Sequence, residues 1–127
     1  MKELEQTEVI TKEENLADLI VDAIRDIKGD HILKIDLRQI ADAPADFFII
    51  CEAESTVKIN AIANNIIRRV KEEMNLKPGH SEGGSGAKWI LVDYFSTIVH
   101  IFYPETRAFY DLEGLWSDGI VSEFADL

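Results

Sequence analysis

Three histidines, a single cysteine and a glycine-rich run are the parts of this 127-residue chain whose types could do chemistry. A zinc or iron site needs His, Cys or carboxylate ligands brought together at short spacings. His31, His80 and His100 are far apart in sequence, and none stands at ligand spacing from another or from Cys51. No metal site is read from them. His100 lies inside the apolar run Thr97 to Tyr103 and reads as a hydrogen-bonded structural histidine. Cys51 ends the run FFIIC and is followed by Glu52 and Glu54, not by a base. A reactive thiolate needs positive surroundings, so Cys51 reads as a small buried hydrophobe, unpaired as in a reducing compartment.

The glycine-rich run GHSEGGSG, Gly79 to Gly86, could in principle cradle a phosphate with backbone N–H groups. It lacks the G-x-x-x-x-G-K-[ST] order and no clear helix follows it, so it reads as a connecting loop. A nucleotidyltransferase would show a Gly-Ser turn after a strand, then alternating acids to hold magnesium. Here Glu52, Ala53, Glu54 and Ser55 follow FFIIC, and no Asp-x-Asp or Asp-x-Glu stands on a later strand. The clustered carboxylates of a two-metal site are missing. No cofactor is expected, and no enzymatic activity.

Aromatic residues carry the stronger signal. The stretch from Gly86 to Trp116 holds both tryptophans, all three tyrosines and three of the six phenylalanines. Rings without a reactive group suggest a surface that grips a partner, because Trp, Tyr and Arg dominate binding hot spots. The formal charge of −11, from 24 acids against 13 bases, restricts what that partner is. Affinity for nucleic acid comes largely from Lys and Arg neutralising phosphates, so little direct contact with RNA or DNA is expected. A basic protein suits the field better.

The elements that must position these residues follow from periodicity. Thr11 and Glu14 form a T-x-x-E capping box ahead of a helical stripe from Leu16 to Ile27, with Gly29 as its left-handed stop. His31 to Leu37 alternates as a half-buried strand, and Phe47 to Ala53 is apolar enough for a central strand covered on both faces. Ser55 caps a second helix running to about residue 74, whose polar face, with Asn65 and Arg69, reads as solvated. Residues 75–87 form a loop with a short strand near His80. Lys88 to Tyr94 and Thr97 to Tyr103 form an antiparallel pair joined tightly through Phe95 and Ser96. Pro104 suits the first turn of a short helix or a tight turn, and Glu113 to Trp116 adds a short helical turn. The fold class is therefore α/β: a single small domain with a mixed sheet and helices packed mainly on one face. Residues 1–10 are expected to be flexible, 11–118 to form the domain, and 119–127 to be an acidic tail. Alternation sends Trp89, Leu91 and Asp93 to one face of their strand and Ile90, Val92 and Tyr94 to the other. If both long helices cover one side of the sheet, the tryptophan face stays open. The polar, acidic start MKELEQTEVITKEEN resembles neither a secretory signal nor a transit peptide. No stretch reaches the apolar length of a membrane span, and a cytoplasmic chain is expected.

The ordered combination WILVDYFSTIVHIF and RAFYDLEGLW, preceded by DFFII, AIANNI and the Glu82-Gly83 step, resembles the ribosomal silencing factor family, RsfS or Iojap, over roughly residues 12–118. The resemblance implies a nucleotidyltransferase-like topology without the active site, and a non-enzymatic role. It implies binding to the large ribosomal subunit through the large-subunit protein numbered fourteen. That docking blocks small-subunit joining and represses translation when nutrients fail. Carried onto this chain, the family's contact positions are Trp89, Leu91, Asp93, Tyr94, Arg107, Tyr110, Leu112 and Trp116. Phe95-Ser96, Glu52 to Ser55 and Gly114 depart from the family's usual residues. Two other readings stand beside it: a nucleotide-binding or residual nucleotidyltransferase domain, and a homodimer formed through an edge strand or the aromatic surface.

Overall fold

The computed structural model describes residues 10–125. Helix α1 (Lys12–Asp26) starts where the capping box places it. The Glu14 N–H donates to Thr11 Oγ1 and the Thr11 N–H donates to Glu14 Oε1, both at 3.0 Å. Its end differs from expectation. Lys28, not Gly29, takes the left-handed backbone, with φ of 60°. Gly29 is needed for space instead, since a Cβ there would press on the Ile24 and Ile62 side chains.

Helix α2 (Thr56–Met74) is capped by Ser55, whose Oγ accepts from the Lys58 N–H at 3.0 Å, and stops at left-handed Asn75. Its apolar stripe of Ile59, Ile62, Ile66 and Val70 meets Leu16, Ile20 and Ile24 of α1 over the sheet. Each such side chain stabilises the fold by about 1.5–3 kcal/mol when fully buried. The polar face of α2 is not simply solvated. Asn65 is buried and donates to the Ala23 carbonyl at 2.8 Å and to Asp26 at 3.0 Å. Arg69 bridges to Asp22 and Asp26, so the two helices share a polar seam beside the apolar one.

Strands β1 (Asp30–Asp36), β2 (Phe47–Glu52), β3 (His80–Glu82), β4 (Trp89–Asp93), β5 (Thr97–Phe102) and β6 (Ile120–Phe124) form one sheet in the order β3-β4-β5-β2-β1-β6. All pairs are antiparallel except β2 with β5, which α2 and the β3–β4 hairpin join as a crossover. β2 is buried on both faces, as its continuous apolar run predicts. The acidic tail is a correction. Residues Ile120 to Phe124 are not a tail but an edge strand of the sheet, registered against β1 from Asp36–Ile120 to Ile32–Phe124. Their side chains are mostly exposed, so backbone pairing rather than burial holds them, and no hydrophobic pattern announces it. Arg25 fastens the far end by donating to the Ala125 carbonyl at 3.0 Å. The flexible start expected for residues 1–10 lies, apart from exposed Ile10, outside the described residues.

The two faces of the sheet are covered unequally. α1 and α2 seal one over Ile49, Cys51, Ile90, Val92, Val99 and Ile101. The other carries the short helices α3 (Pro104–Tyr110) and α4 (Leu112–Leu115), which cover only part of it.

Candidate partner-binding surface

The second face gathers its rings from four elements. Phe48 comes from β2, Trp89 from β4, His100 and Phe102 from β5, and Tyr110 from the end of α3. Trp116 follows α4. The half-buried Trp89 indole lies at the centre, with ring centroids 4.9 Å from Phe102, 4.7 Å from Tyr110 and 5.9 Å from His100. Phe48 stands edge-on between His100 at 4.8 Å and Trp116 at 5.9 Å. The outer layer is left to solvent: Phe109 is 80% exposed, Leu115 71% and Tyr110 50%. Contiguous apolar exposure of this kind marks interaction sites.

The alternation expected of β4 is observed. Trp89, Leu91 and Asp93 are half-buried on the open face, while Ile90, Val92 and Tyr94 are buried under the helices. Asp93 also shapes the hairpin, its Oδ1 accepting from the Phe95 N–H at 2.7 Å. Leu112 and Trp116 pack half-buried against Phe48 and Phe102.

Two expected contact residues are corrected. Tyr94 is sealed on the helix side of the sheet, and burial pushes its phenol up to about 12. It packs in the core under the helices, off the open face. Arg107 turns inward from α3 and is 7% exposed. Its guanidinium donates to the His31 carbonyl at 2.7 Å, Glu52 at 3.1 Å and Glu113 at 2.9 Å. It therefore ties α3 and α4 to the sheet and positions the aromatic face from behind. Asp111 continues that frame, capping α4 by accepting from the Gly114 N–H at 3.2 Å. A Cβ on Gly114 would collide with the Asp111 carboxylate, which accounts for the glycine there.

Phe109 and Leu115 are exposed and His100 lies buried beside Trp89, places for which the sequence carries no distinct signal. Phe109 and Leu115 share the RAFYDLEGL segment with predicted contacts, but only the covering of one helix side shows which rings are left out. Cys51 is fully buried, and burial raises its thiol to about 12, so it is inert packing.

His100 is 4% exposed, and its Nδ1 accepts from the Trp89 indole N–H at 3.2 Å. That bond places the imidazole proton on Nε2. Burial lowers the ring's pKa from 6.5 to about 4, with the Asp93 carboxylate opposing weakly. The unfolded chain therefore takes up a proton as pH falls below about 6.5 while the folded chain does not, and stability falls until about pH 4. Unfolding free energy should drop by about 2 kcal/mol between pH 7.5 and 5. Urea titrations at the two pH values check this, with His100→Asn lacking the drop. A wild-type stability flat over that range would contradict a neutral, buried His100.

A separate cleft of about 640 Å³ opens at the carboxyl ends of the parallel pair β2 and β5, a place where α/β sheets often bind ligands. Glu52, Asp111, Glu113 and Glu123 line it, against the single guanidinium of Arg107, already engaged by Glu52 and Glu113. Among the described residues no group of three or more His, Cys, Asp or Glu could hold a metal ion, and no helix is long and apolar enough to cross a membrane. The Gly79 to Gly86 run belongs to the β3–β4 hairpin and leads into a strand, not a helix.

Comparison with known proteins agrees with this architecture. The family described as "Ribosomal silencing factor during starvation" matches residues 10–127. Ribosomal silencing factor RsfS of Halalkalibacterium halodurans is 34% identical over 105 residues, covering 83% of this chain and 88% of that protein. A mouse protein named for mitochondrial assembly of the ribosomal large subunit is 31% identical over 74 residues, 57% of this chain and 32% of its own length. A crystal structure of a Chromobacterium violaceum protein superposes with a TM-score of 0.79 at 29% identity, covering 84% of this chain and 88% of that one. A family match over residues 10–127, with a relative 34% identical over 83% of this chain and 88% of its own length, shows that the chain belongs to the ribosomal silencing factor family.

Proposed function

We propose that this chain docks on the large ribosomal subunit through the subunit's protein numbered fourteen, using the face around Trp89, and so keeps the small subunit from joining when nutrients are scarce. The observation that carries the reading is the run of rings from half-buried Trp89 to Tyr110 and on to Phe109, the last two exposed, with exposed Leu115 on the neighbouring short helix α4. Aromatic residues at a water-excluding centre supply most of the energy of typical interfaces. The charge of −11 steers the chain toward a basic protein and away from bare phosphates. Steric blocking needs no chemistry, only a binding free energy of about 8–12 kcal/mol, the micromolar to nanomolar range. Leu91, Asp93 and Leu112 border the face and complete its footprint.

The nucleotide-binding alternative meets a cleft of the wrong sign. Four carboxylates line it and its one guanidinium is already paired. Calorimetry with ATP and magnesium tests that reading, and micromolar binding would revive it. Self-association through the aromatic face would compete with docking, and −11 on each copy opposes it.

Sedimentation of the tagged chain with separated ribosomal subunits tests the proposal. Co-pelleting with the large subunit alone, with a matching delay in subunit joining by light scattering, is expected. Pelleting with the small subunit, or with neither, would refute it.

A further inference from the structure

We propose that His100 is the positioning residue of this docking surface, holding the Trp89 indole in the one orientation that a partner meets. The inference rests on the docking reading above, and its own support is geometric. Phe102 and Tyr110 lie 4.9 and 4.7 Å from the indole and constrain its plane. These tilted ring contacts do not select between the two orientations related by turning the indole over. The N–H···N bond to His100 Nδ1 at 3.2 Å does select, because the flipped ring would lose that partner.

His100 can act as a fixed post. It is 4% exposed, wedged against Phe48 at 4.8 Å, and paired across the sheet with Leu91 and Ile50. Packing alone does not account for an imidazole here. Its Nε2 is buried and has no hydrogen-bond partner among the described residues, so a leucine or phenylalanine would fill the space without an orphaned polar atom. The hydrogen bond that the imidazole does make runs to Trp89. An unsatisfied nitrogen is kept at the floor of the surface in return for a locked indole at its centre. Fixing a side chain before binding removes the entropy that docking would otherwise lose.

Two variants separate positioning from packing. His100→Asn can present a carboxamide oxygen near the place of Nδ1, and His100→Leu keeps comparable bulk with no acceptor. Trp116→Phe, made in each background, assigns the Trp89 indole N–H in proton–nitrogen spectra of the free chain. The wild type and His100→Asn should show a slowly exchanging, hydrogen-bonded indole resonance. His100→Leu should show it shifted and exchanging faster while the backbone spectrum stays folded. Affinity for the large subunit should fall about tenfold in His100→Leu and stay within about threefold in His100→Asn, the scale of one side chain's pre-organisation. His100→Phe serves in place of the leucine variant should that one fail to fold. An unmoved indole resonance in the variant without an acceptor would overturn the inference, as would equal losses of affinity in both variants. Should the wild type itself not bind the large subunit, the docking reading falls, and the free-chain spectra still decide whether His100 holds Trp89.

Discussion

Trp89→Ala should weaken binding to the large ribosomal subunit by about 2 kcal/mol or more, roughly 30-fold, as loss of a central aromatic anchor does. The indole touches Phe102, Tyr110 and His100 at once, so its removal takes away contact area and the order of the rings around it. Pelleting across a concentration series with purified large subunits measures the loss. Unchanged binding would make Trp89 a bystander. The substitution also strips His100 Nδ1 of its donor, so some loss of stability accompanies it. Phe109→Ala separates the two effects. Phe109 is 80% exposed and its ring meets Tyr110 at 5.0 Å, so truncation should reduce docking and leave the unfolding midpoint in place.

Arg107→Ala should destabilise the fold by about 3–5 kcal/mol, the usual result of removing one partner from a buried ion pair. The guanidinium holds Glu52, Glu113 and the His31 carbonyl together. Its loss leaves two carboxylates without their shared cation, with only 17% and 28% of their side chains exposed. Domains of this size have only about 5–15 kcal/mol in all. Arg107→Lys should recover little, because a point ammonium cannot span three acceptors as a planar fork does. Urea unfolding checks both variants, and a loss under about 1 kcal/mol for alanine would show the contacts to be of the weak surface kind. Since Arg107 ties α3 and α4 to the sheet, docking should fall along with stability.

The parts of this structure that were legible in the sequence are those written by local rules. Thr11 and Glu14 mark the start of α1, Ser55 marks α2, and the alternation through Trp89 to Tyr94 sorts each side chain to its face. Residues whose role depends on long-range placement were not legible. Arg107 reads as an interface arginine until the ends of β1 and β2 are seen to lie behind it. Tyr94 adjoins residues of the open face in the chain yet falls on the helix side by the same alternation that leaves Trp89 half-exposed. His100 reads as a hydrogen-bonded histidine, but nothing in the sequence names the tryptophan eleven residues earlier as its donor. Strand β6 lacks a buried face, and only its backbone register with β1 reveals it.

The most direct measurement is a cryo-electron microscopy map of the chain bound to the large subunit at side-chain resolution. The account predicts that Trp89, Phe109, Tyr110 and Leu115 are covered by the protein numbered fourteen, with α1 and α2 facing solvent. A map in which α1 and α2 meet the ribosome and the Trp89 face remains open would contradict it.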